Sequence, residues 1–373
     1  MTMQKLTLAP SKICSVHTPY YAFLHLDDRV TIYNSTNNEV NECILTGHDI
    51  TSMITMQRST LLGAKRGNFV QIPHGSRQIQ IRKIEGIDST PLFLFGGSEE
   101  LLVLGTGWER TQNHMRCEQV AMVWQGKPVF HTLRGEIVAH QFDRERRRQL
   151  FVTIEEKPVR YQLHVISSET DRSPVKSFNL DMDEMLMRQQ SFQSVWTVSR
   201  HGVVAFIDDG VFFIVSPMSG QTKPEVLFIG NAAVKKLHGH FASFHGEGDN
   251  FLIHGAMSEP TALQISIAKY DRCRWNSCMS LVMDVQDVIQ DSSLLASSVV
   301  RDSAEDDKGL VFVLHSIDNS EEEQFCTLLP MFADGLEAFM AEQFASAAGQ
   351  ETGVSLLDDD IDEIEVVHRG ILY

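Results

Sequence analysis

The chain has 373 residues, 43 % of them hydrophobic, which is enough apolar mass for a large core and leaves room for one to three domains. Its 32 Lys and Arg stand against 49 Asp and Glu, and the net charge of −17 argues against a general phosphate-binding surface. No stretch approaches the roughly 18 continuous apolar residues of a membrane-crossing helix, and six cysteines without a C-x-x-C pair fit buried thiols in a reducing compartment, cytoplasm or nucleus.

Residues 1–10 lack the layout of a signal peptide and instead alternate, Met3, Lys5 and Thr7 against Gln4, Leu6 and Leu8, as a strand would. The same period of two recurs along the chain. Val30 and Ile32 alternate with Thr31 and Tyr33, Ile79 and Ile81 with Gln80 and Arg82, Leu263, Ile265 and Ile267 with Gln264, Ser266 and Ala268. Alternation of this kind puts one set of side chains on a buried sheet face. Residues 203–207 and 211–215 are apolar throughout, as strands packed on both faces are. Turn clusters separate them at 34–38, 73–75, 208–210 and 246–250, and a short helix is expected at 183–190.

Grouped in fours, the strands form units at 12–45, 50–84, 91–133, 137–180, 192–229, 234–285 and 294–329, the third with an insertion near 108–116. The last unit supplies three strands. The N-terminal strand can complete it, closing a ring and removing the exposed edges of a linear array.

The segment Asp27-Asp28-Arg29-Val30-Thr31-Ile32-Tyr33-Asn34, followed by Asn38-Glu39-Val40, resembles the third strand and turn of a WD-repeat blade. Leu45-Thr46-Gly47-His48-Asp49-Ile50 is similar to that family's Gly-His step into the next blade, with Tyr33-Asn34 standing where Trp-Asp is usual. The match covers about a tenth of the chain; the other units keep the spacing and lose the signature. The resemblance implies a WD-like propeller that serves protein partners.

From residue 333 the pattern changes. Leu336, Phe339, Met340 and Phe344 recur at helical spacing, with Asp334 and Glu337 placed as a capping box and Gly349 as a stop. Residues 350–355 read as a linker. Ten acidic residues and one basic residue, Arg369, fall between Ala333 and Tyr373, a net of −9 that leaves −8 for the first 332 residues. Within the acidic tail, Asp358, Asp359 and Asp360 precede Ile361, Ile364, Val366 and Val367, β-branched residues suited to an extended strand. Such a segment can add to a partner's sheet edge while its acids select a basic neighbour.

No nucleophile elbow, phosphate-binding Gly-rich loop or H-E-x-x-H motif is present. His238, His240 and His245 form the densest candidate metal set, since residues two apart on a strand share a face, but no cysteine or carboxylate at matching spacing completes four ligands. Arg144, Arg146, Arg147 and Arg148 make the one strong basic run, in a hairpin turn where an anion or acidic peptide can dock. Nucleic-acid binding would need further basic loops and exposed aromatics.

The expectation is therefore an all-β fold: a seven-bladed β-propeller over 1–332 closed by the N-terminal strand, an amphipathic helix over 333–349 and an acidic-hydrophobic segment over 350–373. The expected role is a non-catalytic scaffold or adaptor subunit of a hetero-complex, without cofactor, that binds proteins of which at least one has a basic surface. A propeller hydrolase or lyase with a metal at the channel mouth, and an acidic chaperone for a basic client, are the alternatives.

Overall fold

The computed structural model describes residues 11–371 apart from 18, 26, 46, 66, 77, 85, 88–90, 112–113, 157–158, 169–174, 183–194, 209–210, 229–237, 272, 287–291, 302–309, 319–323, 332–335, 337 and 342–368. The first sheet is a four-stranded meander of β1 (Ser11–His17), β2 (Tyr20–His25), β3 (Arg29–Asn34) and β4 (Glu39–Ile44). The second repeats it with β5 (Ile50–Thr55), β6 (Ser59–Ala64), β7 (Asn68–Pro73) and β8 (Gln80–Lys83).

In the third, β9 (Leu92–Gly97) and β10 (Leu101–Thr106) are followed by a small hairpin, β11 (Glu109–Thr111) and β12 (His114–Arg116), before β13 (Gln119–Trp124) and β14 (Lys127–His131) complete the sheet. The hairpin is the insertion expected near 108–116, and it joins the fourth sheet through Met115 opposite Ile137. That sheet continues with β15 (Glu136–Asp143), β16 (Arg148–Glu156), β17 (Val159–Ser167) and β18 (Lys176–Leu180).

The fifth sheet is β19 (Val195–Val198), β20 (Val204–Asp208), β21 (Val211–Val215) and β22 (Glu225–Phe228). The sixth is β23 (His238–His245), β24 (Phe251–Glu259), β25 (Ala262–Asp271) and β26 (Arg274–Asp284), and the seventh is β27 (Ser292–Arg301), β28 (Leu310–Asp318) and β29 (Gln324–Met331). A last strand, β30 (Arg369–Ile371), pairs in parallel with Val282, Met283 and Asp284 at the outer edge of β26.

The first ten residues, the segment 183–190 and residues 342–368 lie outside the described residues. The closing N-terminal strand, the short helix and the apolar tail positions fall there.

The described chain divides into two compact units, Ala9–Phe206 with Phe213–Glu225, and Ile207–Phe212 with Val226–Tyr373. In the first, the leading strands lie side by side in order: β1 beside β5, β5 beside β9, β9 beside β15 and β15 beside β19. Polar clips join neighbouring sheets. The Thr55 amide donates to Ser15 Oγ at 2.8 Å, and the Leu94 amide to Ser52 Oγ at 2.9 Å.

Burial falls from the inner strands to the outer ones. Every residue of β6 and β10 is buried, and every residue of β8 is exposed. Composition explains the gradient: Leu61-Leu62 and Leu101-Leu102-Val103-Leu104 exclude water, whereas Gln80, Arg82 and Lys83 keep an outer edge charged and unattractive to further strands. Apolar layers fill the space between sheets, Leu24, Val30, Leu62 and Ile72 between the first and second, Leu92, Leu104 and Ala121 between the second and third.

In the second unit Phe251, Ile253, Leu263, Ile265 and Ile267 form a layer into which Leu336 and Met340 are buried, with Phe339 packed beside them. Leu336 and residues 338–341 are helical, so the apolar stripe read from its spacing has a sheet to rest on.

Candidate functional site: a turn cleft and an arginine turn

The described residues of the first unit hold a cleft of about 160 Å³, lined from the first sheet by Tyr20, Ile32, Asn34, Asn37, Glu39 and Asn41 and from the second by Pro73, His74, Gly75 and Ser76. Short polar side chains build its first wall. Asn34 Oδ1 accepts the Thr36 amide at 2.9 Å and Asn37 Oδ1 the Glu39 amide at 3.1 Å, the local bonds by which Asn favours turns over strands. Asn38 takes a left-handed φ of 57°, which Asn tolerates, and its Oδ1 accepts the Tyr33 hydroxyl at 2.8 Å. The Ser35 amide donates to the Pro19 carbonyl at 2.9 Å and ties this turn to the one before β2.

The Glu39 carboxylate is fixed by two amides. Asn37 Nδ2 donates to Oε2 at 3.1 Å and Asn41 Nδ2 to Oε1 at 3.3 Å. Among the described residues no Lys or Arg forms an ion pair with it.

The second sheet brings His74 to the lining. Its Nδ1–H donates to the Gln57 carbonyl at 3.2 Å, which leaves Nε2 to accept the Thr60 hydroxyl at 3.1 Å. Burial is the main cause pushing the imidazole down, to about 4; the Gln57 bond opposes that shift and nearby His17 adds to it. The ring is neutral at physiological pH. Tyr20 stacks against it with centroids 3.7 Å apart and planes tilted by 32°, so the cleft has an uncharged aromatic lining beside a held carboxylate.

The arginine run occupies the turn between β15 and β16. Asp143 at its base is fully buried, and its carboxylate accepts Arg146 Nη1 at 3.2 Å and Arg148 Nε at 2.9 Å. Arg148 Nη2 also donates to the Arg200 carbonyl at 2.7 Å, clipping the fourth sheet to the fifth. Arg147 lies 4.9 Å from the centre of the Trp124 ring and 3.6 Å from Glu100. Arg144 donates from Nη1 to His17 Nε2 at 3.1 Å. Three of the four guanidiniums thus already face a carboxylate, and Arg144 faces the His17 imidazole.

Among the described residues no three His, Cys, Asp or Glu side chains are grouped to hold a metal ion. The His238 and His240 side chains lie outside the described set. The register of β23 shifts between His238 and Phe241. His245 is buried at the end of β23. Cys117 is buried and its thiol is pushed up to about 12, a protonated and unreactive state. The tail residues Asp358, Asp359, Asp360, Ile361, Ile364, Val366 and Val367 lie outside the described residues.

No family model matches the chain, and no curated protein matches it. Similarity to solved structures is extensive in coverage and low in identity. The β-propeller domain of Cps50 (Swd1) from Myceliophteria thermophila superposes with a TM-score of 0.51 at 11 % identity, covering 88 % of this chain and 99 % of that one. YCF48 bound to D1 peptide gives 0.51 at 9 % identity over 88 % of this chain and 93 % of that one. The complex of KlAtg21 with the coiled coil of AgAtg16 gives 0.50 at 9 % identity, covering 73 % and 85 %. At such identities the likeness speaks for the fold, a β-propeller built of antiparallel sheets.

Proposed function

We propose that this propeller is a non-catalytic interaction scaffold, a subunit or adaptor of a larger protein assembly. One observation carries the reading: its turns are held by internal bonds, and between two of them lies an open cleft with a positioned carboxylate and an aromatic lining. A site preformed on rigid sheets lowers the ordering cost of binding. Two structures similar in fold, YCF48 with D1 peptide and KlAtg21 with a coiled coil, hold protein segments, which supports the same use here.

The acidic tail provides a second surface, Ile361, Ile364, Val366 and Val367 adding to a partner's sheet edge and Asp358, Asp359 and Asp360 favouring a basic one. The buried, protonated Cys117 and the neutral, hydrogen-bonded His74 and His164 are side chains used for structure, which favours binding over chemistry. The cytoplasm or nucleus is the proposed compartment, since scattered cysteines persist there as thiols.

Affinity purification of the full chain beside a version ending at Gln350 tests the proposal. Partners shared by both versions place binding on the sheets, and partners lost with the tail place it there. Recovery of no stoichiometric protein by either version would overturn the scaffold reading.

A further inference from the structure

The turn cleft has the chemistry to recognise one kind of side chain, and this inference rests on the scaffold reading above. Glu39 is exposed, yet its carboxylate is held in place by Asn37 and Asn41, one amide donor on each oxygen. A carboxylate offers about four lone-pair positions. Two are taken, and the two that remain match the paired N–H groups of a guanidinium.

Tyr20 and His74, in ring contact with each other, both line the same cleft. A planar, weakly hydrated cation stacks on such a surface, whereas an ammonium, compact and strongly hydrated, gains less from it. Asn34 and Ser76 add polar atoms to the lining. The described ion pairs include no internal cation for Glu39, although Arg29, one sheet strand away, is matched to Asp27 and Glu42.

We propose that this cleft binds the guanidinium of an arginine presented by a protein partner, with Glu39 as its counter-ion and the Tyr20–His74 pair as its platform.

The full-length protein is titrated with the peptide acetyl-Gly-Arg-Gly-amide and, separately, with the analogue carrying citrulline, the same shape without charge. The readout is the side-chain NMR resonances of Tyr20 and His74. Saturable movement with the arginine peptide is expected, with affinity at least about tenfold weaker for citrulline and for the Glu39→Gln variant. Glu39 is exposed and its replacement keeps an acceptor for the Asn amides, so the variant folds.

No movement with the arginine peptide, or equal responses to both peptides, overturns the proposal. Arg77 follows Ser76 in sequence, so Arg77→Ala is the control. Binding that emerges only in that variant makes the chain's own guanidinium the occupant, and the proposal fails. The titration needs no partner; its failure with partners still captured would leave the scaffold reading standing, and loss of partners in the purification would not touch the peptide result.

Discussion

His164 stands in the middle of β17 with a hydroxyl on each ring nitrogen, Thr153 at 2.9 Å from Nε2 and Ser177 at 2.8 Å from Nδ1. The three residues span adjacent strands of one sheet. Burial pushes this imidazole down to about 4, with Glu155 opposing the shift. Its unfolded value is about 6.5. Between those two values the unfolded chain binds more protons, so stability is full above about pH 6.5 and declines as pH falls towards about 4. The shift corresponds to something on the order of 3 kcal/mol across that window. His74 contributes with the same sign. Urea unfolding of the native protein and of His164→Gln, from about pH 7 to about pH 4.5, checks this. The variant is expected to be less stable at the upper end and to lose stability less steeply on acidification. Parallel profiles would show that His164 does not titrate as its burial requires.

Elements follow from the sequence to the extent that burial is written as a period. Leu263, Ile265 and Ile267 alternate in the sequence and are all buried in β25, where Ser266 and Ala268 between and after them are buried too, and the apolar run at 211–215 is β21. The units read at 12–45 and 50–84 coincide with the sheets Ser11–Ile44 and Ile50–Lys83, because Asn-rich and Pro-Gly-bearing turns separate strands that can only pair with their neighbours. What period cannot show is which turns meet. Tyr20, Glu39 and His74 belong to two different sheets, and each lies in or beside a turn whose composition reads as solvent-facing. The arginine run shows the same limit: Asp143, one residue before it, is buried and pairs with Arg146 and Arg148, which the run alone does not reveal.

Glycine marks where sheets approach most closely. A Cβ on Gly63 would lie 2.6 Å from Ser52 Oγ and 2.9 Å from the Leu92 carbonyl oxygen, an atom of the next sheet's backbone that cannot swing aside. Gly63→Ala is expected to cost about 1–3 kcal/mol of overpacking. Thermal unfolding of the variant measures it, and an unchanged midpoint would mean that the second and third sheets are looser than described.

At the scale of the whole molecule charge is the least evenly distributed property. The last 41 residues carry −9 of a total of −17, and the tail's apolar residues are set among those acids. Two forces can therefore hold a partner on this segment, and they respond differently to salt. Coulombic attraction between exposed charges is screened over about 10 Å at 0.1 M salt and about 3 Å at 1 M. Strand addition through Ile361, Ile364, Val366 and Val367 relies on main-chain bonds and apolar contact, which salt weakens little. For a basic partner recovered with the full chain, association is expected to slow at least about tenfold between roughly 0.05 M and 0.3 M salt, with a much smaller change in dissociation. The version ending at Gln350 is expected to lose most of that dependence while keeping any contact made by the sheets. Stopped-flow association at several salt concentrations separates these terms. A rate for the full chain that stays flat with salt would remove the acids from recognition and leave the β-branched residues, or the sheets, as the binding surface.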